Sequence, residues 1–170
     1  MDQQERREFV RSHRTCVFGY NRGQDGPAMT VVYYVMNGDD ELLISTMAAR
    51  SKARVVGGGR KVSVCVLDEK WPVGYVQVYG DAVVDRDAEL GAGVLNRVLG
   101  LMAGEPVPAE RWPQVKEMAE RENRVVIRVR GGARASRAAG RGLRRGCGQP
   151  GPLGLISRPG CRACRPRWCS

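Results

Sequence analysis

The chain has 170 residues, enough for one domain with a real hydrophobic core, and a formal net charge of +10. All 18 acidic residues and 19 of the 28 Lys and Arg precede residue 131, which leaves that part at +1; residues 131–170 hold nine Arg and no acid. Basicity therefore belongs to the last forty residues and gives no ground for reading the first 130 as nucleic-acid binding. No apolar run approaches the length of a membrane span, and Met1-Asp2-Gln3-Gln4-Glu5-Arg6-Arg7-Glu8 lacks the apolar core of a signal peptide. Of six cysteines only Cys16 and Cys65 lie in the first 130 residues, in apolar, strand-like surroundings where a thiol behaves as a small hydrophobe. A cytoplasmic protein is expected.

In chain order, residues 3–13 read as a short amphipathic helix with Phe9 and Val10 on its apolar side, and residues 14–20 as a first strand. The turn formers of 21–27 lead into one strand over 28–36, rich in β-branched and aromatic residues. Asn37-Gly38-Asp39-Asp40 is a hairpin turn and 41–46 the returning strand. A short helix near 50–56 ends at Gly57-Gly58-Gly59. The strand at 61–67 alternates, with Val62, Val64 and Val66 on one face. In the strand at 73–84, Val76, Val78, Gly80, Ala82 and Val84 make a small-residue face suited to the inside of a small barrel. Tyr75, Gln77, Tyr79 and Asp81 point the other way and suit an interface or a cofactor. Leu90, Val94, Val98 and Leu101 recur at helical spacing despite Gly91 and Gly93. Pro113 opens a further helix to about Arg121, and 124–130 is a last strand with Val125, Ile127 and Val129 on one side. Antiparallel strands with one helix between the third and fourth and later helices outside describe a mainly β, Greek-key-like small barrel.

The chemistry begins with absences. His13 is the only histidine, so no hydrolytic triad can be assembled, and it reads as a helix-end residue near the C-terminal dipole. No carboxylate cluster in the first 130 residues has metal-ligand spacing, and Gly57-Gly58-Gly59-Arg60 lacks the Lys-Ser/Thr of a P-loop. Catalysis, if any, falls to a cofactor. The informative run is Leu42-Leu43-Ile44-Ser45-Thr46-Met47-Ala48-Ala49-Arg50-Ser51-Lys52. A strand ends in two hydroxyls, and two cations follow where a helix should begin, the parts from which phosphate sites are built. On a regular helix Arg50 and Lys52 would stand roughly 200° apart, at about 100° per residue. They converge on one anion only if the helix starts at or after Ser51. The alternative is a solvated basic helix with Arg50 and Arg54 on an exposed face.

Residues 14–85 resemble the pyridoxamine-5′-phosphate-oxidase-like superfamily, in particular its flavin- and deazaflavin-dependent members. The resemblance is carried by Gly26-Pro27-Ala28-Met29-Thr30-Val31-Val32-Tyr33-Tyr34, Leu43-Ile44-Ser45-Thr46, Arg50-Ser51-Lys52, Lys61-Val62-Ser63-Val64-Cys65-Val66 and Tyr75-Val76-Gln77-Val78-Tyr79-Gly80, in the family's order and spacing. It implies a split β-barrel homodimer with the cofactor in a groove between subunits. It further implies that Ile44, Ser45, Thr46, Arg50, Ser51 and Lys52 form the phosphate-holding segment and that Thr30, Val31 and Val32 lie against the ring system. Gln77 is a softer assignment, to the cofactor or to cross-strand pairing. Tyr33, Tyr34, Tyr75 and Tyr79 are expected either in the dimer interface or against ligand. The implied activity is hydride transfer between the cofactor and a small organic substrate. Val31-Val32-Tyr33-Tyr34 and Ile44-Ser45-Thr46 lean towards coenzyme F420, with FMN the alternative. A split barrel that holds a flavin or haem without turnover is the competing reading.

Residues 131–170 do not match that family. Nine Arg, nine Gly, five Ala and four Pro dominate them, all encoded largely by G and C, which fits out-of-frame translation from about codon 131. Two units are therefore expected: a cofactor-binding domain over 1–130 and a disordered Arg/Gly-rich tail over 131–170. Trp168 is the tail's one aromatic, so nucleic-acid binding has little to stack on. Cys147, Cys161, Cys164 and Cys169 offer one CxxC and no second, unlike a zinc ribbon.

Overall fold

Asp2 and Glu5 start the first helix by each accepting the other's backbone N–H, a capping box that launches α1 (Gln3–Ser12). There follow β1 (Thr15–Asn21), β2 (Pro27–Tyr33), β3 (Val35–Asn37), β4 (Glu41–Met47), α2 (Ser51–Val56), β5 (Arg60–Asp68), β6 (Gly74–Asp85), α3 (Ala88–Ala103), α4 (Trp112–Arg121) and β7 (Arg124–Gly132). The computed structural model describes residues 1–23, 26–38, 40–68 and 74–132. The readings made for residues 133–170, including disorder, a shifted frame and the four cysteines, lie outside the described residues, as do Asp39 and residues 69–73.

The seven strands form one antiparallel sheet in the order β2-β1-β5-β6-β7-β4-β3. Its two edge strands are joined by a single residue, Tyr34, so the sheet curls back on itself as a split barrel. The strand expected over 28–36 is thus two, β2 pairing with β1 and β3 with β4. Tyr34 makes the break: its N–H donates to Arg14 O at 3.1 Å, and its hydroxyl, sunk in the core, donates to Val10 O. It is a core residue, almost wholly buried.

The period-two pattern is realised as read. Val62, Val64, Val66, Val76, Val78, Ala82, Ile127 and Val129 fill the barrel with Phe18, Leu42 and Ile44. On β7 the opposite face is closed too, because Leu90, Val94, Val98 and Leu101 of α3 pack on Val35, Leu43 and Val126. Gly91, a poor helix former, allows this approach: an added Cβ would lie 3.2 Å from Arg124 O. The other side of α3, through Ala92, Leu95 and Leu99, packs on Val115 and Ala119 of α4. Asp87 caps the start of α3 and left-handed Gly104 (φ 81°) ends it. The last strand runs to Gly132, two residues beyond the expected domain end at Arg130.

Candidate functional site

The link between β4 and α2 meets the condition set for Arg50 and Lys52. Arg50 has an extended backbone (φ −70°, ψ 144°) as the N-cap, and the helix begins at Ser51. α2 plugs one end of the barrel with Ala53 and Val56 buried, so Ser51 and Lys52 stay half-buried and Arg50 exposed. Lys52 Nζ reaches Thr30 Oγ1 of β2 at 3.5 Å. Burial, and then the nearby Arg50 guanidinium, push the Lys52 pKa below its ordinary value. Neither cation has a carboxylate within 4.0 Å among the described residues. Two cations held close without an acid are destabilised by each other and stabilised by any anion that enters between them.

These residues flank the split in the barrel. The β3–β4 register pairs Val35 with Leu43 and, continued, would set Val32 and Tyr33 beside Thr46 and Ser45. No ladder forms there: β2 turns to β1 while β4 stays with β7. The opening therefore has Thr30–Tyr33 on one lip and Ile44–Met47 on the other. Alternation sends Thr30, Val32, Ile44 and Thr46 inward and Val31 and Ser45 outward, since Thr30 pairs with buried Phe18 and Val31 with Val17. Ser45 Oγ is buried and makes no hydrogen bond among the described residues. Leaving a buried hydroxyl without a partner costs about 1–3 kcal/mol.

Two of the sequence-derived residues stand apart. Ile44 is fully buried, and its side chain packs in the barrel core. Gln77 accepts a hydrogen bond from Tyr79 Oη at 2.9 Å and lies three strands from Val31 in the row Val31–Val17–Cys65–Gln77, roughly 14 Å away at about 4.8 Å per strand. Reading single strands missed Val17 and Cys65, which lie between them; their outward parity was visible, but the strand order that aligns them was not. Cys65 is a half-buried thiol whose pKa is raised by burial. His13 is the C-cap of α1 as read, its Nδ1–H donating to Phe9 O at 2.7 Å. No described helix is long and apolar enough to cross a membrane.

Residues 2–133 match the family model described as pyridoxamine 5′-phosphate oxidase. Among solved structures, a conserved hypothetical protein from Mycobacterium tuberculosis is 28% identical, with 79% of this chain and 81% of that one covered at a TM-score of 0.65. An F420 reductase is 21% identical over 74% of this chain and 92% of its own, TM-score 0.55. A general stress FMN/FAD binding protein from Xanthomonas citri is 16% identical over 91% and 97%, TM-score 0.56. No curated protein matches the sequence.

Proposed function

The chain belongs to the pyridoxamine 5′-phosphate oxidase family, and from that premise we propose that it is an oxidoreductase using coenzyme F420, or in its place FMN, on a small organic substrate. The observation that carries the reading is the pair Arg50 and Lys52, two cations without an acid at the start of α2, which follows the strand that holds the unpartnered Ser45 hydroxyl. The residues present fit a phosphate. Arg50, on an extended cap residue, and Lys52, tied towards β2 by Thr30, hold the anion; Ser51 lies between them at the helix start, and Ser45 and Thr46 offer hydroxyls from the strand. An anion seated there opposes the depression of the Lys52 pKa. The β2 lip, Thr30 to Val32, flanks the ring system and excludes water from one side of it. When bound, the cofactor supplies hydride transfer; the protein supplies orientation and a dry, shaped groove. An F420 reductase among the structural neighbours supports the deazaflavin branch, and an FMN/FAD binding protein the flavin one.

Fluorescence titration of the purified protein with F420 and with FMN tests this. Saturable binding of one of them is expected, weakening with salt as an exposed charge contact must. Arg50→Ala and Lys52→Ala should each raise Kd by about ten- to hundred-fold, the loss of one charge-assisted hydrogen bond. If neither cofactor binds at high concentration, or both variants bind like the parent, the reading is wrong. Binding without any reductase activity would move the protein to the non-catalytic, cofactor-carrying class.

A further inference from the structure

A cleft of 660 Å³ lies between the end of α1, β3 and the C-terminal half of α3 and is lined by none of Thr30, Ser45, Thr46, Arg50, Ser51 and Lys52. Its walls are apolar, through Met36, Leu101 and Val107, and its charges are one-sided: Arg11, Arg14 and Arg97 against the single acid Glu105, with His13 beside them. Arg11 is paired with Glu8 at 3.4 Å. Arg14 and Arg97 have no carboxylate within 4.0 Å among the described residues. Each is fixed at one corner. Arg14 Nη1 donates to Leu101 O at 3.1 Å, and Arg97 Nη2 donates to Met36 O at 2.9 Å, so one arginine reaches onto α3 and the other reaches from it.

We propose that this cleft binds a small organic anion with an apolar body, such as a medium-chain carboxylate, its charge held by Arg14 and Arg97. Pockets that bind small molecules run from about 300 to 1,000 Å³, mostly apolar with a few convergent polar groups, and this cleft has that make-up. A guanidinium has five N–H donors in a fixed fork that suits a carboxylate. Each carbonyl contact uses one donor and sets the direction of the rest. Arg14 also answers the carbonyls in the last turn of α3, a common use of a cation at a helix C-terminus. Arg97 runs the opposite way, to β3, and has no such role. The apolar walls select against inorganic phosphate, which would gain nothing from them. The site is independent of the cofactor reading.

The test uses the full chain and the fluorescent sulfonate 8-anilinonaphthalene-1-sulfonate, with decanoate and decanol as competitors. One saturable site is expected, displaced by decanoate and not by decanol. Arg14→Gln and Arg97→Gln should each weaken binding about tenfold, and the double variant should abolish it. Both side chains are exposed, so circular dichroism should show all variants folded. Arg97→Lys, which keeps the charge, should recover part of the affinity. Glu117→Gln, exposed on α4 and outside the cleft, should change nothing. Unchanged affinity in the double variant, displacement by decanol as strong as by decanoate, or loss of binding in Glu117→Gln would each overturn the proposal.

Discussion

Glu41, at the start of β4, is 8% exposed and yet ionised, because three side chains converge on it. Arg128 donates to both its oxygens at 3.0 Å, Arg130 Nε donates at 2.9 Å, and Asn37 donates from the hairpin. Arg128 spans to Asp85 at 3.0 Å, so one guanidinium serves two carboxylates. Hydrogen bonding from Arg128 outweighs the penalty of burial, and with help from Asn37 and Arg130 the Glu41 pKa falls from 4.5 to about 2. A depressed carboxylate pKa means stability that is present above 4.5 and lost as pH falls through 2, at most about 3 kcal/mol. Glu41→Gln should therefore melt at lower temperature than the parent at pH 7, and the gap should narrow steadily between pH 4.5 and 2. Melts that stay parallel across that window would show that Glu41 is not held ionised. Nothing in the sequence pointed to this group, whose members come from three separate segments, the β3–β4 hairpin, β6 and β7, and meet through the β4–β7–β6 pairing. Arg50 and Lys52 were legible for the opposite reason: they sit in one eleven-residue run with the hydroxyls they accompany.

Between β6 and β7, Gly80 faces Gly131 across the ladder. A Cβ on Gly80 would lie 2.5 Å from Arg130 O, and one on Gly131 would lie 2.6 Å from a Val78 methyl. Both obstacles are fixed, one a carbonyl in the sheet and the other a core side chain, so the strands must move apart to admit a methyl. Gly80→Ala should cost about 1–3 kcal/mol in urea unfolding, whereas Gly58→Ala, with nothing within 4 Å, should stay within about 0.5 kcal/mol. Equal stabilities would mean that the two strands yield freely. The sequence placed Gly80 on the small, inward face of its strand; that the tightest contact is with a neighbouring backbone needed the register. The same limit explains the merged strand at 28–36. Val31 through Met36 is an unbroken run of strand formers without a turn residue, so local chemistry predicts continuity. The break at Tyr34 comes from Arg14, just before β1, and Val10 of α1 capturing its backbone and hydroxyl, contacts between segments far apart in the chain.

The outer surface of the barrel is covered unevenly. Over β7 and β4 it is roofed by α3, which in turn carries α4. Over β2, β1, β5 and β6 no described element lies on it, and there Met29 is 71% exposed, Val31 74%, Tyr79 49% and Leu67 43%. These side chains share a face, since Met29–Gly19–Ser63–Tyr79 and Val31–Val17–Cys65–Gln77 are adjacent rows across the four strands. Small residues at Gly19 and Ser63 keep the middle of the patch low. An apolar patch of this kind on a monomer commonly marks an interaction surface, and we expect a second copy of the same face to be its partner. Sequence alternation had already separated the outward tyrosines of β6 from its inward valines. Which half of the outer face the later helices would cover was beyond it, because that depends on where α3 crosses the sheet. Sedimentation equilibrium should therefore find a homodimer, and Met29→Asp combined with Leu67→Asp should convert it to a folded monomer, because the barrel core and the α3 roof are untouched. If the cofactor groove lies between subunits, as the resemblance of residues 14–85 implies, that monomer should also bind F420 or FMN more weakly although its Arg50 and Lys52 are intact. A dimer undisturbed by the two charges would put the interface elsewhere on the barrel, and a monomeric parent with full cofactor affinity would show that one copy of the chain completes the groove alone.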